Sequence, residues 1–239
     1  MTLITIDRKR IGCQFLRRIY KVYRIRRYNP RLAIGDGEDV YAVWESPSEN
    51  ANEIFFAKFV NGSWVKPISI SSISGISEDP TITVDERGHI HVVWQGIRGE
   101  TYQIFYREWD GSVWKEPKVV SESEKLLLKW NHHPAIAAEH ETVHIFWQSG
   151  SSKPEIYYVK LSENFMSNPA NLSKNGGSSL WPRVSVDSQR NIHVVWRDDT
   201  SGNSEILLRG KRSSLVQPHR HLWRRRNRGP TQYSGRHAR

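Results

Sequence analysis

Four tryptophans, Trp44, Trp94, Trp147 and Trp196, recur along the chain at steps of 50, 53 and 49 residues. A proline leads each of them, at 30, 80, 134 and 182, and an isoleucine opens the apolar run that follows, at 54, 104, 156 and 206. Three markers sharing one period require a repeated supersecondary unit. A period of roughly 40–50 residues built from short alternating apolar runs is the signature of a propeller blade, whereas helical repeats of similar length show 3.6-residue periodicity.

Each unit reads as four strands. In the second, the apolar runs are Thr81 to Val84, His89 to Trp94, Gln103 to Tyr106 and Trp114 to Val120, separated by Asp85-Glu86-Arg87-Gly88, by Gly96 to Gly99 and by Asp110-Gly111. Asp-Gly between two apolar runs is a hairpin signal, and the first unit has Asn61-Gly62 before Trp64 in the same place. The third unit spans Ala135 to Ala138, Val143 to Trp147, Ile156 to Lys160 and a weaker run near Pro169 to Ser173, with Phe165 where the others have Trp. The fourth begins with Pro182 to Asp187 and runs through Ile192 to Trp196 and Glu205-Ile206, where the pattern stops. The expected architecture is therefore all-β: a β-propeller of four-stranded blades of about 50 residues, three complete and a fourth incomplete. The units are 30–79, 80–133, 134–181 and 182–206.

The charge divides along the same lines. The formal net charge of +10 combines +8 in residues 1–29, +10 in residues 207–239 and −8 in the repeats, so the globular part is acidic. A basic chain ordinarily suggests nucleic acid or anionic membrane partners. Here the excess of positive charge lies outside the periodic region, densest at Arg224-Arg225-Arg226. The basic tail is expected to be disordered, or to be sequence that a changed reading frame has taken out of the fold. Nucleic acid is not an expected partner, because no recognition module accompanies these residues. Cys13 is the only cysteine, so no intramolecular disulfide forms; this fits a reducing compartment without requiring one. Met1 to Ile6 is too short an apolar run for a signal peptide, and no stretch approaches the roughly 20 apolar residues of a membrane span.

Asp85 to Trp94 reads Asp-Glu-Arg-Gly-His-Ile-His-Val-Val-Trp and Asp187 to Trp196 reads Asp-Ser-Gln-Arg-Asn-Ile-His-Val-Val-Trp. These units resemble those of the sialidase-like β-propeller superfamily over about residues 30 to 206. The departures bear on activity. The superfamily's Asp-box, Ser/Thr-x-Asp-x-Gly-x-Thr-Trp, keeps only its Gly and Trp in Val60 to Trp64 and Trp109 to Trp114, and the Phe/Tyr-Arg-Ile-Pro element of true sialidases is absent. The resemblance implies that the first strand of each unit is innermost. The loops leading into it then share one face with those joining the second and third strands, and a site is sought there.

Residues that repeat are assigned to the scaffold. The four tryptophans are expected to pack between blades. Tyr41, His91, His144 and His193 share one register and are not expected to bind metal; Glu53, Gln103, Glu155 and Glu205 begin the third strands as turn or edge partners. Residues that do not repeat are the candidates. Trp130 and Trp181 precede two of the prolines and offer flat apolar faces for stacking on a sugar ring, with His133 beside them. Arg31 and Arg183 each follow a proline, where an arginine suits bidentate pairing with a carboxylate. Asp198 and Asp199 are candidate acid or base groups, and Tyr102 a candidate nucleophile.

Two readings follow. The preferred one is a non-catalytic propeller, or a fragment of one, that binds carbohydrate or protein through its loop face. The alternative is a sialidase-type exo-glycoside hydrolase acting on acidic sugars, with Arg31 and Arg183 on the substrate carboxylate. Neither calls for a cofactor or a metal. Unpaired sheet flanks at both ends of the repeats lead us to expect self-association that closes a ring.

Overall fold

The computed structural model describes residues 28–35, 39–48, 51–71, 75–122 and 130–211. The basic stretches 1–27 and 212–239 lie outside the described residues, and with them the expectations about the tails and about an outer strand for the fourth unit.

The described chain forms four antiparallel sheets and no helix. The first sheet holds β1 (Tyr28–Ile34), β2 (Val40–Pro47), β3 (Asn52–Val60), β4 (Ser63–Trp64) and β5 (Ile68–Ser69). The second holds β6 (Ser77–Val84), β7 (Ile90–Arg98), β8 (Thr101–Trp109) and β9 (Lys118–Val119). The third holds β10 (Asn131–Glu139), β11 (Thr142–Ser149), β12 (Glu155–Ser162), β13 (Phe165–Met166) and β14 (Ala170–Asn171). The fourth holds β15 (Ser179–Val186), β16 (Ile192–Asp198) and β17 (Glu205–Lys211). Within each sheet the first three strands pair in chain order. The first strands touch one another in succession, β1 on β6, β6 on β10 and β10 on β15, which puts them on the inner side.

The outer strand is short or broken in two in the first three units. Both β4 and β5 pair with β3, both β13 and β14 with β12, and β9 pairs with β8 beside an isolated Trp109–Trp114 bridge. Its inner end is latched by a serine. The Oγ atoms of Ser71, Ser121 and Ser173 accept the N–H groups of Ile54, Ile104 and Ile156 at 3.2, 2.9 and 2.9 Å. Ser121 and Ser173 in turn donate to Gln103 and Glu155, so the repeated polar residue at the start of the third strand anchors the outer one. In the fourth unit β17 continues to Lys211, past Ile206, where the apolar alternation gives out. Its ladder with β16 runs from Asp198–Glu205 to Ile192–Lys211 and needs only main-chain groups.

Alternation along the strands fills the spaces between adjoining sheets. Trp94 packs with Val43, Ile54 and Phe56 of the first sheet, Trp147 with Val93 and Ile104 of the second, and Trp196 with Phe146 and Ile156 of the third. These three indoles are at most 2% exposed. Each buried large apolar side chain contributes roughly 1.5–3 kcal/mol, so the repeated tryptophans are the main cohesive contacts between sheets.

Every inner strand is interrupted at the same point. The pairing register breaks between Tyr28 and Arg31, Glu78 and Thr81, His132 and Ala135, and Leu180 and Arg183. At each break the residue before the proline is left-handed: Asn29, Asp79, His133 and Trp181 have φ of 49°, 49°, 52° and 54°. A non-glycine residue in this region costs about 1–3 kcal/mol, and a following proline disfavours helical ψ further. At the last three breaks a side chain in the preceding sheet holds the backbone. Glu45 accepts the Asp79 N–H at 2.8 Å, Gln95 that of His133 at 2.9 Å, and Gln148 that of Trp181 at 3.0 Å.

Candidate functional site

Strand direction places the bulges of the inner strands at the same end of the sheets as the β2–β3, β7–β8, β11–β12 and β16–β17 connections. Most of the candidate residues gather there. Tyr102, on β8, lies with its ring centroid 4.4 Å from that of His132 and 6.4 Å from that of Trp130. Trp130 and His132 are stacked at 6.5 Å with 20° between their planes. His133 meets the edge of Trp181 at 6.3 Å, and the guanidinium of Arg197 sits 5.3 Å over that indole. A run of aromatic faces thus crosses from the second sheet to the fourth. Both tryptophans remain open, Trp130 at 47% and Trp181 at 45% exposure.

Charged groups line the same end. His133 Nδ1 is 2.9 Å from Asp79 Oδ2, and Arg31 Nη2 is 3.6 Å from Asp79 Oδ1. Burial, then the neighbouring His133, lowers the His132 pKa against the pull of Asp79. Burial and the Glu78 carboxylate push the Tyr102 phenol above its ordinary value, which disfavours the phenolate a nucleophile requires. Arg31 and Arg183 occupy equivalent positions, and each donates to the carbonyl of its own proline, Pro30 at 3.1 Å and Pro182 at 2.8 Å. Arg183 is exposed.

The two aspartates have separate surroundings. Asp198 is 3% exposed, and its Oδ2 accepts from Asn175, from Ser179 at 2.8 Å and from the Trp196 indole at 3.2 Å, while Oδ1 accepts the Thr200 N–H at 3.0 Å. Burial works against its charge, yet hydrogen bonds from Thr200, Ser179 and Trp196 outweigh it and hold the carboxyl below the ordinary range. Asp199 Oδ1 accepts the Ser178 N–H and ties the 175–178 loop to the fourth sheet. Glu155, which accepts the Asn175 N–H at 3.2 Å, has its pKa raised by burial, with the Asp198 charge adding to it.

A second polar cluster lies at the opposite end, in a cavity between the second and third sheets lined by Arg87, His89, Lys115, Glu141 and Glu163 among others. Within it Asp85 Oδ2 is 3.3 Å from His91 Nε2, His91 Nδ1 is 2.8 Å from the Tyr106 hydroxyl, and that hydroxyl donates to Glu108 at 3.3 Å. The third sheet repeats the histidine–tyrosine pair, His144 Nδ1 lying 2.8 Å from the Tyr158 hydroxyl. A motif recurring in successive units is a device of the scaffold, not a unique site. Among the described residues no group of three or more His, Cys, Asp or Glu is placed to hold a metal ion. No described helix is long and apolar enough to cross a membrane.

Sequence reasoning names Trp130, His133, Trp181 and Tyr102, which the fold brings into one string. Arg31 and Arg183, which it sets together on one carboxylate, stand in the structure on β1 and β15, at opposite ends of the row of sheets. Sequence reasoning puts His132, Asp79, Glu45, Gln95 and Gln148 in the loops where a site is sought but gives them no role, although the signal for the caps is present: a Glu or Gln directly follows the repeating tryptophan in three units.

No known family's sequence profile matches the chain, and no curated protein matches it in sequence. Solved structures do match. An α-L-arabinofuranosidase from Podospora anserina in complex with cellotriose aligns with a TM-score of 0.53 at 12% identity, covering 80% of this chain and 66% of the other. The intramolecular trans-sialidase from Ruminococcus gnavus in complex with oseltamivir carboxylate aligns at 0.58 and 11%, covering 81% and 70%. The leech intramolecular trans-sialidase complexed with 2,7-anhydro-Neu5Ac aligns at 0.58 and 9%, covering 81% of this chain but 50% of that one. The chain therefore spans between half and about two thirds of the first and last of these proteins. At such identities the likeness carries the fold alone, and the fold it carries is the β-propeller architecture of these glycoside hydrolases.

Proposed function

We propose that this chain is a non-catalytic β-propeller, or part of one, that binds carbohydrate through the end of the sheets bearing Trp130, His132, His133 and Trp181. Its blades are 30–79, 80–133, 134–181 and a fourth from 182, flanked by basic segments. The observation that carries the reading is the aromatic string from Tyr102 to Trp181, in which Trp130 and Trp181 are exposed and offer flat faces that suit the apolar side of a sugar ring. The structural neighbours are proteins of carbohydrate chemistry, which agrees with a sugar ligand.

The carboxyl groups favour binding over hydrolysis. Glycoside hydrolysis by the usual route needs a proton donor and a second carboxylate facing the scissile bond. Asp198 and Glu155, whose pKa values are pushed apart, are each held by neighbouring side chains and by Asn175 between them. The test is a glycan array with the full chain, beside a release assay on aryl glycosides of neutral and acidic sugars. Binding that Trp181→Ala and Trp130→Ala weaken, without release, supports the proposal. Turnover that Asp198→Asn abolishes would replace it with the hydrolase reading.

A further inference from the structure

Four residues in four different sheets occupy one geometric position. Asn29, Asp79, His133 and Trp181 each stand in the left-handed conformation immediately before a proline, at the break in an inner strand. The backbone there is constant, whereas the side chains differ in every unit: an amide, a carboxylate, an imidazole and an indole. Strained backbone kept at four equivalent points, with a cap from the neighbouring sheet on three of them, is a device for aiming side chains. Three of the four side chains form a contiguous set, Asp79 to His133 at 2.9 Å and His133 to Trp181 at 6.3 Å. Asn29 joins it through Glu45, which accepts from the Asn29 Nδ2 at 3.2 Å and from the Asp79 N–H.

We propose that these four pre-proline residues are the specificity-setting contacts of the carbohydrate site, and that the ligand they select is a neutral saccharide. This rests on the carbohydrate reading above and adds to it the ligand class and the residues that choose it. Trp181 offers the stacking face, being the exposed aromatic of the set. Asp79, whose Oδ1 faces Arg31 and whose Oδ2 faces His133, offers its remaining lone pairs to sugar hydroxyls, with Asn29 and His133 on either side.

The charges argue for neutrality. Arg31, the cation closest to the set, already faces Asp79, and Arg197 is stacked on Trp181 and bonded to Ser204 at 3.0 and 2.8 Å. An acidic sugar arriving at Asn29 and Asp79 meets two carboxylates, Asp79 and Glu45, and has to draw Arg31 away from its partner. A neutral diol meets the same oxygens as acceptors and disturbs no ion pair.

The test uses the full chain with neutral pentose and hexose oligosaccharides and with oligosaccharides ending in uronic or sialic acid. Wild type is expected to retain neutral members of the panel and not acidic ones. Asp79→Asn, which keeps a side chain tolerant of left-handed backbone, is expected to weaken neutral binding by about tenfold and to raise acidic binding above wild type, because Arg31 loses its counter-ion. His133→Asn, equally tolerant of that backbone, is expected to weaken neutral binding alone, and it decides the matter if Asp79→Asn fails a thermal-melting check. Retention of acidic sugars in preference to neutral ones by wild type, or neutral binding that neither variant alters, overturns this inference and leaves the carbohydrate reading standing. No retention of any saccharide overturns both.

Discussion

The side-chain oxygen of Gln95 accepts the backbone N–H of His133 at 2.9 Å, joining the second sheet to the third across 38 residues of sequence. Its counterparts are Glu45 on Asp79 and Gln148 on Trp181. The same bond thus holds the sheets together and fixes the backbone that presents the candidate ligand contacts. Removing the acceptor leaves a partly buried N–H unmatched at a strained residue. Gln95→Leu and Gln148→Leu are each expected to destabilise the fold by about 1–2 kcal/mol. Gln95→Glu is expected to lie near wild type, since Glu45 serves the first unit. Urea unfolding of the three variants checks this, and a Gln95→Leu protein as stable as wild type would remove the capping role.

This relationship also marks the limit of what the sequence discloses. The period of Trp44, Trp94, Trp147 and Trp196 gives the unit and its strands, because burial demands a large apolar side chain at one register, between sheets for the last three. The hairpin at Asn61-Gly62 is legible because two successive left-handed residues, with φ of 51° and 76°, require those types. The left-handed state of Asn29, Asp79, His133 and Trp181 is not legible: local propensity argues against it before proline, and at the last three a residue more than thirty positions earlier holds it. The candidate site suffers likewise. His132 looks like a neighbour of His133 in the chain, yet it is the strand's pleat that sends it toward Tyr102 and Trp130 instead.

The turns after the inner strands of the second and fourth sheets are copies of one another. Asp85 Oδ1 accepts the N–H groups of Arg87 and His89, and Asp187 Oδ1 those of Gln189 and Asn191. The third position past the aspartate is left-handed in both, Gly88 with φ of 80° and Arg190 with φ of 64°. Arginine there bears a steric cost that glycine escapes, offset in part by glycine's larger unfolded-state entropy. Its exposed ion pair with Glu86, at 3.5 Å, contributes little. Arg190→Gly is therefore expected to raise stability by about 0.5–1 kcal/mol, read as an increase in the urea midpoint at unchanged slope.

Asp85 in the second sheet and Tyr158 in the third set the response to pH at the two extremes. Burial of Asp85 opposes its charge, but the His91 ring nitrogen beside it and hydrogen bonds from the His89 N–H and Arg87 prevail and hold the carboxyl well below the usual range. A carboxyl depressed in the fold contributes stability above its ordinary value of 3.8 and loses it as pH falls through the folded value. Stability is expected to decline below about pH 4, and Asp85→Asn to be less stable at neutral pH with a shallower acid limb, so that the two curves converge. Tyr158 behaves oppositely: burial, with the nearby Glu139, pushes its phenol up to about 12. The fold keeps that proton where the unfolded chain has lost it, so stability is whole below the ordinary value of 10.0 and declines as pH rises toward about 12. Tyr158→Phe is expected to reduce the alkaline decline, and unfolding curves across the pH range measure both limbs.

Adjacent glycines near the two aspartates separate packing from chain flexibility. A Cβ added at Gly177 would lie 2.5 Å from Asp199 Oδ1 and 2.6 Å from the Thr200 nitrogen, whereas one added at Gly176 meets nothing within 4 Å. The clash at Gly177 involves backbone, so it cannot be relieved by turning a side chain. It must push the 175–178 loop away from Asp199, breaking the Ser178 bond, and it strains the Asn175 contact to the buried Asp198 carboxylate. Gly177→Ala is expected to cost about 1–3 kcal/mol and Gly176→Ala to stay within about 0.5 kcal/mol of wild type, in the stabilising direction if the unfolded chain is stiffened. Equal effects of the two substitutions in urea unfolding would show that the loop is not pinned against the fourth sheet, and Asp199 would then lose the structural role its hydrogen bond gives it.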